Sequence, residues 1–397
     1  MGDSIKRYKK KHPLECVNCG ICKSKCPIYK QTQNESYSAR GRMSLIKAVN
    51  SNILIDTKEL SERFYSCLLC GACTKTCPLH IDVTQSICEI RGKLNKKKTT
   101  TRLLSYLIKY GFKKPKYVFK AMGFFDYLCQ HAPYKDRIDK LRRHYGITIT
   151  PSKKSLTDTI TLRKGKNPIG RVALYPGCSI NYLFPTIGIS LIEVLNLLDY
   201  DVVIPRQYLC CGAPQLAMGL IKEAEDIAKR QMTIFDSLSL DAVISLCPTC
   251  VHMMSDTYTD LLGEGIKGII DTNRFISQNA TKILNISDNL GSLYPNTPLV
   301  YHEPCHIRSY SEIQNNIPPL LKSLGLDFKY DENCCGFGGT FRFIETDLSN
   351  TITSNLKNSY AKDALVITSC PNCIIQFKNH NINSKHFIDI INYGMKG

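Results

Sequence analysis

The sequence predicts an α+β protein of several domains, in which a helical, cysteine-rich N-terminal part precedes two α/β domains with parallel sheets. Three observations lead to this prediction. A cysteine run occurs twice near the N-terminus, a second cysteine pattern repeats farther along, and apolar strands alternate with helices around that second pattern. The length of 397 residues suits roughly two to four domains.

Composition and charge narrow the class of protein. The chain has 20 cysteines but 43% hydrophobic residues, so it can form cores without disulfides, unlike a secreted disulfide scaffold. The basic tail, residues 1–11, has no apolar segment behind it, and the uncharged window 172–192 contains two prolines and two glycines. We therefore expect neither a signal peptide nor a membrane span. We expect a cytoplasmic protein, whose cysteines are metal ligands more often than disulfides.

The first cysteine pattern is C-x2-C-x2-C-x3-C-P. It occurs at Cys16, Cys19, Cys22 and Cys26, and again at Cys67, Cys70, Cys73 and Cys77. This is the bacterial spacing for cubane 4Fe–4S clusters, in which the cysteine before the proline ligates the other cluster. We therefore assign Cys77 to the cluster of the first run and Cys26 to that of the second. Zinc knuckles are the alternative, but zinc sites commonly use two pairs of ligands. Because residues 27–66 have a helical pattern, we expect a helical two-cluster domain over residues 12–95.

The second cysteine pattern is a duplicated unit. Its ten members are Cys178, Cys210, Cys211, Cys247 and Cys250 in one copy, and Cys305, Cys334, Cys335, Cys370 and Cys373 in the other. Corresponding cysteines lie 123 to 127 residues apart, which indicates a repeat of about 125 residues.

Predicted strands and helices alternate around these cysteines. The strands are 171–175, 201–204, 241–246, 299–302 and 364–368, and the helices are 187–198, 222–238, 320–324 and 348–360. Such alternation predicts doubly wound parallel sheets, here in domains 167–290 and 291–397. The cysteines follow the strand ends, where such sheets bind ligands. Five thiols in each copy therefore predict a metal or cluster site rather than core packing.

The order of these motifs resembles a family of iron–sulfur subunits. The Cys…Cys-Cys-Gly…Cys-x-x-Cys unit is similar to the CCG domain of heterodisulfide reductase. The whole order resembles the iron–sulfur subunits of glycolate oxidase and D-lactate dehydrogenase, the small subunit of anaerobic glycerol-3-phosphate dehydrogenase, and the D subunit of heterodisulfide reductase. Besides the cubane runs, the most specific segments are 39–43, 175–178, 210–214, 302–306 and 334–339.

The resemblance implies an electron-transfer subunit of a flavin-dependent dehydrogenase of the glycolate, lactate or glycerol-3-phosphate type. Electrons would come from an FAD-containing partner and leave to a quinone or a disulfide. The resemblance also implies that a complete CCG motif can hold a non-cubane 4Fe–4S cluster, so we expect two cubane clusters and one or two non-cubane clusters. We assign no catalytic residue, and we expect no flavin on this chain because no G-x-G-x-x-G follows a strand. The alternative is a subunit like heterodisulfide reductase, whose CCG clusters themselves reduce a disulfide.

A basic segment connects the two halves. Residues 91–166 have a net charge of +17, and the part 96–166 is expected to be helical with a polar linker at 148–167. One helical face carries Tyr117, Val118, Ala121, Met122, Phe125 and Leu128, beside Lys113, Lys114, Lys116 and Lys120. Such a helix suits an anionic membrane surface, an acidic partner, or a core-facing position with a solvated basic side. No nucleic-acid-binding motif is present, so we expect no nucleic-acid partner.

Several other residues have open interpretations. We expect Cys88 and Cys129 to be ordinary buried thiols. His302, Glu303 and His306 surround Cys305; the histidines could donate hydrogen bonds to cluster sulfurs, relay protons, or simply be structural. Arg40 and Arg42 are expected to support the cubane domain by pairing with carboxylates or sulfide. These two arginines and the three residues around Cys305 lie within the segments quoted above.

Overall fold

The N-terminal part is helical, as expected. The computed structural model describes residues 15–94, 99–131, 135–207, 210–310 and 316–396, so the predicted basic tail lies outside the described residues. The helices of this part are α1 (Pro27–Thr32), α2 (Ala39–Asn50), α3 (Lys58–Tyr65), α4 (Ala72–Thr76) and α5 (Val83–Lys93), with 3₁₀ turns at Ile21–Lys23 and Glu35–Tyr37. Met43, Phe64 and Ile87 form its core, and Ser38 caps α2 by accepting a hydrogen bond from the Gly41 amide.

Three longer helices follow. They are α6 (Thr99–Gly111), α7 (Pro115–Gln130) and α8 (Lys135–Tyr145), and a short helix, α9 (Leu156–Thr159), comes after them. Leu156 is fully buried in the core of the next domain. Part of the segment predicted to be a polar linker is therefore packed against that domain.

The first α/β domain contains a five-stranded sheet. Its strands are β1 (Leu162–Arg163), β2 (Gly170–Leu174), β3 (Tyr200–Val203), β4 (Ala242–Ser245) and β5 (Ile269–Asp271), in the spatial order β1-β3-β2-β4-β5. All pairings are parallel except that of β1 with β3. The helices are α10 (Pro185–Leu197), α11 (Ala213–Ala217), α12 (Ile221–Asp236), α13 (Pro248–His252), α14 (Tyr258–Leu262), α15 (Thr272–Gln278) and α16 (Ala280–Ile286).

The second α/β domain contains a four-stranded parallel sheet. Its strands are β6 (Leu299–His302), β7 (Lys329–Asp331), β8 (Leu365–Thr368) and β9 (Ser384–His386), in the order β7-β6-β8-β9. The helices are α17 (Cys305–Ser309), α18 (Ile317–Ser323), α19 (Phe341–Ile344), α20 (Thr346–Asn358), α21 (Pro371–Asn379) and α22 (Phe387–Gly394). Leu191 of α10 and Ile391 of α22 belong to one apolar cluster, so the two sheets share a core.

The predicted strands and helices are present, but the sequence missed four strands: β1, β5, β7 and β9. Each has only two or three residues, and at most its last residue is buried. Because they are outer strands, they lack the apolar run by which central strands such as β4 and β8 are recognised. Within the described ranges, no helix combines the length and the apolar character needed to cross a bilayer.

Candidate metal centres

The two cubane runs lie against each other in the N-terminal domain. Burial and the neighbouring thiolates of Cys16, Cys19 and Cys77 raise the pKa of Cys22 to about 11. The runs are thus close enough for the last cysteine of the second run to face the first. This is the arrangement that the crossed assignment requires.

The second run has the reciprocal neighbour. Burial raises the pKa of Cys70 to about 12, and the nearby thiolates of Cys67 and Cys26 act in the same direction. For Cys73, burial again raises the pKa, and the thiolates of Cys70, Cys67 and Cys26 act in the same direction. Cys26, the last cysteine of the first run, therefore lies beside the second run in space.

Glycine makes the turn in both runs. Gly20 and Gly71 follow the second cysteine of each run with φ of 86° and 74°, a left-handed conformation that favours glycine. A Cβ on Gly20 would lie 2.9 Å from the Arg40 guanidinium, and one on Gly71 would lie 2.7 Å from the Tyr310 ring. The second run is therefore packed closely against the second α/β domain.

Two buried arginines hold the backbone around the second run. Arg42 donates from Nε to the Arg63 carbonyl at 2.7 Å and from Nη2 to the Ser66 carbonyl at 3.1 Å. Arg91 donates to the Cys67 carbonyl at 2.8 Å. Arg42, which we expected to pair with carboxylates or sulfide, thus pairs with backbone carbonyl oxygens. Arg40 does pair with a carboxylate, that of Glu35, at 2.7 Å.

Arg91 also reaches the first α/β domain, where it donates to the Ala217 carbonyl at 2.7 Å. Sequence reasoning missed it, because a single arginine in an amphipathic helix usually lies at the surface. Cys88 and Cys129 are buried, as expected of ordinary thiols. Burial raises the pKa of Cys88 to about 12.

The first CCG site lies at the carboxyl ends of β2, β3 and β4. Its thiols form a hydrogen-bonded series of neighbours in the order Cys178, Cys210, Cys211, Cys250 and Cys247. Hydrogen bonds from Cys210 and Cys250 lower the pKa of Cys211 to about 6. Tyr258 donates to the Cys211 carbonyl at 3.0 Å, which holds the Cys-Cys-Gly turn over the sheet.

The second CCG site lies at the carboxyl ends of β6, β7 and β8. Cys373 is hydrogen-bonded to Cys335 and Cys370, and Cys305 has Cys334, Cys335 and Cys370 among its charged neighbours. The duplicated sequence therefore gives two thiol clusters at equivalent places, each at the ligand-binding edge of a parallel sheet.

The second CCG site adjoins the second cubane run. Burial is the main cause that raises the pKa of Cys305, and the Cys70 thiolate is the next largest. The buried Cys26 and Cys70 belong to one hydrophobic cluster, and Cys305 and Cys334 pack against that cluster. The Lys75 ammonium in α4 donates to the Arg308 carbonyl in α17.

The two CCG sites are bridged by the C-P-N-C turn of the second. Asn372 Nδ2 donates to Cys247 Sγ at 3.9 Å, a distance suited to a sulfur acceptor, and Ser179 Oγ donates to Asn372 Oδ1 at 3.0 Å. In addition, His252 stacks on Tyr310 with ring centroids 3.4 Å apart. The four thiol clusters thus follow one another: first cubane run, second cubane run, second CCG site, first CCG site.

The residues present fit iron–sulfur clusters. The donors are thiols, and burial and mutual repulsion raise the pKa of several of them, including Cys22 and Cys70. A multi-iron group compensates both effects, because metal cations deprotonate coordinating thiols. Eighteen of the chain's 20 cysteines lie in these four clusters.

The basic segment exposes an apolar face. Tyr117, Phe125 and Leu128 of α7 are 66%, 53% and 50% exposed, so the predicted apolar face does not turn inward. The helix does face the core, but with another side, on which Phe119 and Cys129 are buried. The inward side is instead set by Asp126, which is buried and paired with Arg142 of α8. Leu103, Tyr106, Leu107 and Tyr110 of α6 and Phe124 of α7 are also exposed. We call these exposed apolar and aromatic residues of α6 and α7 the aromatic face.

Comparison with known proteins identifies the domains. The cysteine-rich CCG domain matches residues 172–255 and 299–378, and the 4Fe–4S dicluster domain matches residues 13–81.

The chain thus carries two cysteine-rich CCG domains and one 4Fe–4S dicluster domain.

This CCG protein is similar over most of its length to known redox proteins. It is 26% identical over 392 residues to a probable glycolate oxidase iron–sulfur subunit of Bacillus subtilis, covering 92% of this chain and 88% of that protein. It is 24% identical over 380 residues to one of the subunits of the CoM/CoB fumarate reductase of Methanothermobacter marburgensis, covering 92% and 67%. One of the subunits of the anaerobic glycerol-3-phosphate dehydrogenase of Escherichia coli is 29% identical over 239 residues, covering 56% and 58%. The CCG protein is therefore an oxidoreductase component of the iron–sulfur type.

Proposed function

We propose that the chain is the electron-transfer subunit of a flavin-dependent dehydrogenase complex that acts on glycolate, lactate or glycerol 3-phosphate. The observation that carries the proposal is the sequence of four thiol clusters through the molecule. They are linked by the packing of Cys305 against the cluster of Cys26 and Cys70 and by the bridge from Asn372 to Cys247. Clusters at these sites supply one-electron carriers, and the chain's own part is to hold them close together and away from water.

The proposed ligand sets follow the neighbours already described. Cys16, Cys19, Cys22 and Cys77 hold one cubane cluster, Cys67, Cys70, Cys73 and Cys26 hold the other, and each CCG set holds a non-cubane cluster. The electron donor is an FAD-containing subunit on a separate chain. The acceptor is a quinone or a disulfide.

Affinity isolation under anaerobic conditions tests the function. We expect the tagged chain to carry with it a flavoprotein. In that complex, one of the three organic substrates should bleach the iron–sulfur absorbance, whereas the isolated chain should not respond. Iron should reach roughly 8 atoms per chain from the cubane clusters and about 16 if both CCG sites fill. Zinc in place of iron, or bleaching by none of the three substrates, contradicts the proposal.

A second function, disulfide reduction by the CCG sites themselves, is favoured by one observation. Both CCG motifs are complete, and the five thiols of each are brought together at strand ends. Under this alternative the isolated, reduced chain turns over a low-molecular-weight disulfide without any flavoprotein. Under the main proposal it does not.

We also propose that the aromatic face docks the protein on the cytoplasmic face of an anionic membrane. Lys113, Lys114 and Lys120 are exposed beside the aromatic face, whereas Lys116 is paired with Asp158 at 3.0 Å. Exposed aromatic rings suit the headgroup region, and basic residues near an anionic surface each contribute about 1 kcal/mol. A quinone acceptor requires this approach to the bilayer.

Sedimentation with anionic vesicles tests the docking. The wild-type chain should sediment at low salt and be released at high salt. Replacing Lys113, Lys114 and Lys120 by Glu should abolish sedimentation without loss of iron. The matched control replaces Lys267, Lys329 and Lys362, three exposed lysines of the α/β domains, and should still sediment. If the wild type stays in the supernatant and the first variant loses the flavoprotein instead, the face binds an acidic partner.

A further inference from the structure

The two CCG sites differ at the residue three positions before their first cysteine. This residue is Tyr175 in the first copy and His302 in the second, and both side chains are buried. They lie 127 residues apart, as Cys178 and Cys305 do. The duplication has therefore placed a phenol at one site and an imidazole at the other.

The His302 ring is held by a carboxylate. His302 Nδ1 lies 2.7 Å from Asp331 Oδ2, and the two residues are direct partners across β6 and β7. Asp331 also accepts hydrogen bonds from the Tyr360 hydroxyl at 2.7 Å and from Asn333 Nδ2 at 2.8 Å. Phe377 packs edge-on against the imidazole, with centroids 5.0 Å apart. The ring is therefore fixed, with Nδ1 engaged as the donor to Asp331.

The other ring nitrogen, Nε2, is the one left for the thiols. Ligand atoms of His302, Cys335 and Cys373 all lie within 4.8 Å of one another. Ligands bound to a single metal at about 2.0–2.3 Å must stand less than about 5 Å apart. Among the described residues, these three make up the group that meets this condition.

We propose that His302 is a metal ligand of the second CCG site, bound through Nε2 to the iron atom that Cys335 and Cys373 hold. Metal-bound histidines commonly donate their other N–H to a carboxylate, and Asp331 is the positioning residue that accepts it here. The inference rests on the proposed function in taking the metal to be iron. The second site then has a mixed thiolate and imidazole set, whereas a phenol stands at this place in the first.

The additional imidazole bears on the redox potential of the second site, because the ligands of an iron–sulfur centre set its potential. We therefore expect the two CCG sites, each with five thiols, to differ in potential.

Pulsed EPR of the full, anaerobically reconstituted chain tests the inference. Wild-type protein is prepared with ordinary and with ¹⁵N-labelled histidine. We expect a histidine nitrogen coupling of the strength typical of directly ligated iron, which changes with the isotope. It should vanish in His302→Gln, whose amide can still donate to Asp331, and the midpoint potential of that site should shift.

His306→Gln is the matched control, since His306 Nδ1 lies 3.4 Å from Cys305 Sγ and its ring packs near His252 rather than Asp331. It should retain the coupling. Loss of the coupling in His306→Gln instead, a wild-type coupling as weak as that of a hydrogen bond, or zinc in the second site each overturns the inference. If iron fills all sites without ligated histidine, the inference fails and the proposed function stands. If the coupling is present but no flavoprotein copurifies, the inference stands and the proposed function fails.

Discussion

Single buried side chains position the cysteine runs, and Arg91 is the clearest example. Its guanidinium donates to the Phe64 carbonyl at 2.7 Å and to the Cys67 carbonyl at 2.8 Å, and also reaches Ala217. Arg91→Met fills similar volume but leaves these buried carbonyls without a donor. Hydrogen bonds to a charged group contribute about 1.5–3 kcal/mol each, so we expect a loss of about 3 kcal/mol or more.

The measurement is thermal unfolding under anaerobic conditions, together with the rate of iron loss to a chelator. The control is Arg40→Met, because Arg40 pairs with Glu35 near the surface and surface pairs contribute little. A similar effect for both variants would refute the special role of Arg91.

Asp271, at the end of β5, predicts a pH dependence of stability. Burial raises the pKa of its carboxyl to about 7. Between about pH 4 and 7 the unfolded chain therefore releases a proton that the folded chain keeps, so rising pH favours unfolding by about 1.4 kcal/mol per unit. Asp271→Asn retains the oxygen that accepts from the Asn273 amide at 2.8 Å and removes this loss.

We expect the melting temperature of Asp271→Asn, relative to wild type, to be higher at pH 8 than at pH 5. Glu193→Gln is the control. Burial opposes ionisation of Glu193, but hydrogen bonds from Lys396 and Asn392 lower its pKa, so its effect should be equal at both pH values. An Asp271→Asn difference that does not change with pH contradicts the assigned pKa.

At the level of secondary-structure elements, the sequence predicts the strands and motifs whose sequence signal is local. The strands β2, β4, β6 and β8 are central and apolar, and each cysteine pattern follows from spacing alone. The orientation of α7 was not predictable, because its inward side depends on Asp126 meeting Arg142 in α8. Likewise, the bridge by Asn372 and the packing of Tyr310 on Gly71 join residues that are distant in sequence.

The packing of α4 on α17 gives a prediction about electron transfer. In Gly71→Ala the new Cβ would lie 2.7 Å from the Tyr310 ring, which is stacked on His252, so we expect the end of α17 to shift relative to the second cubane run. We expect slower reoxidation of the second cubane cluster by the CCG sites, measured by rapid freezing after flash reduction.

Gly20→Ala is the matched control. Gly20 occupies the same place in the first run, with a similar positive φ, but a Cβ there would meet the movable end of Arg40. Its backbone strain should be similar and its rate of transfer to the CCG sites unchanged. Equal slowing in both variants would show that strain in the turn, not the contact with Tyr310, controls the rate.

At the scale of the whole molecule, the order of the clusters depends on the crossing of the two cubane runs. The proposed crossing would place the set of Cys16, Cys19, Cys22 and Cys77 at one end, and the set containing Cys26 and Cys70 beside the second α/β domain. Charge follows the same division, because residues 1–170 have a net charge of +23 and residues 171–397 a net charge of −5. The half with the cubane runs is thus electrostatically distinct from the half with the CCG sites.

Replacing the fourth ligand of each cubane cluster by serine tests the two ends of this route separately. Cys77→Ser should damage the cluster of the first run, leaving the second cubane cluster still able to exchange electrons with the CCG sites. Cys26→Ser should damage the cluster that adjoins Cys305, so the CCG sites lose their supply although the first cluster is intact. EPR of the cubane signals identifies which cluster is lost in each variant, and the extent of CCG reduction by a low-potential donor protein reports the interruption. If Cys77→Ser instead removes the cluster of Cys67, Cys70 and Cys73, the crossing is wrong, although Cys70 still places that cluster beside Cys305.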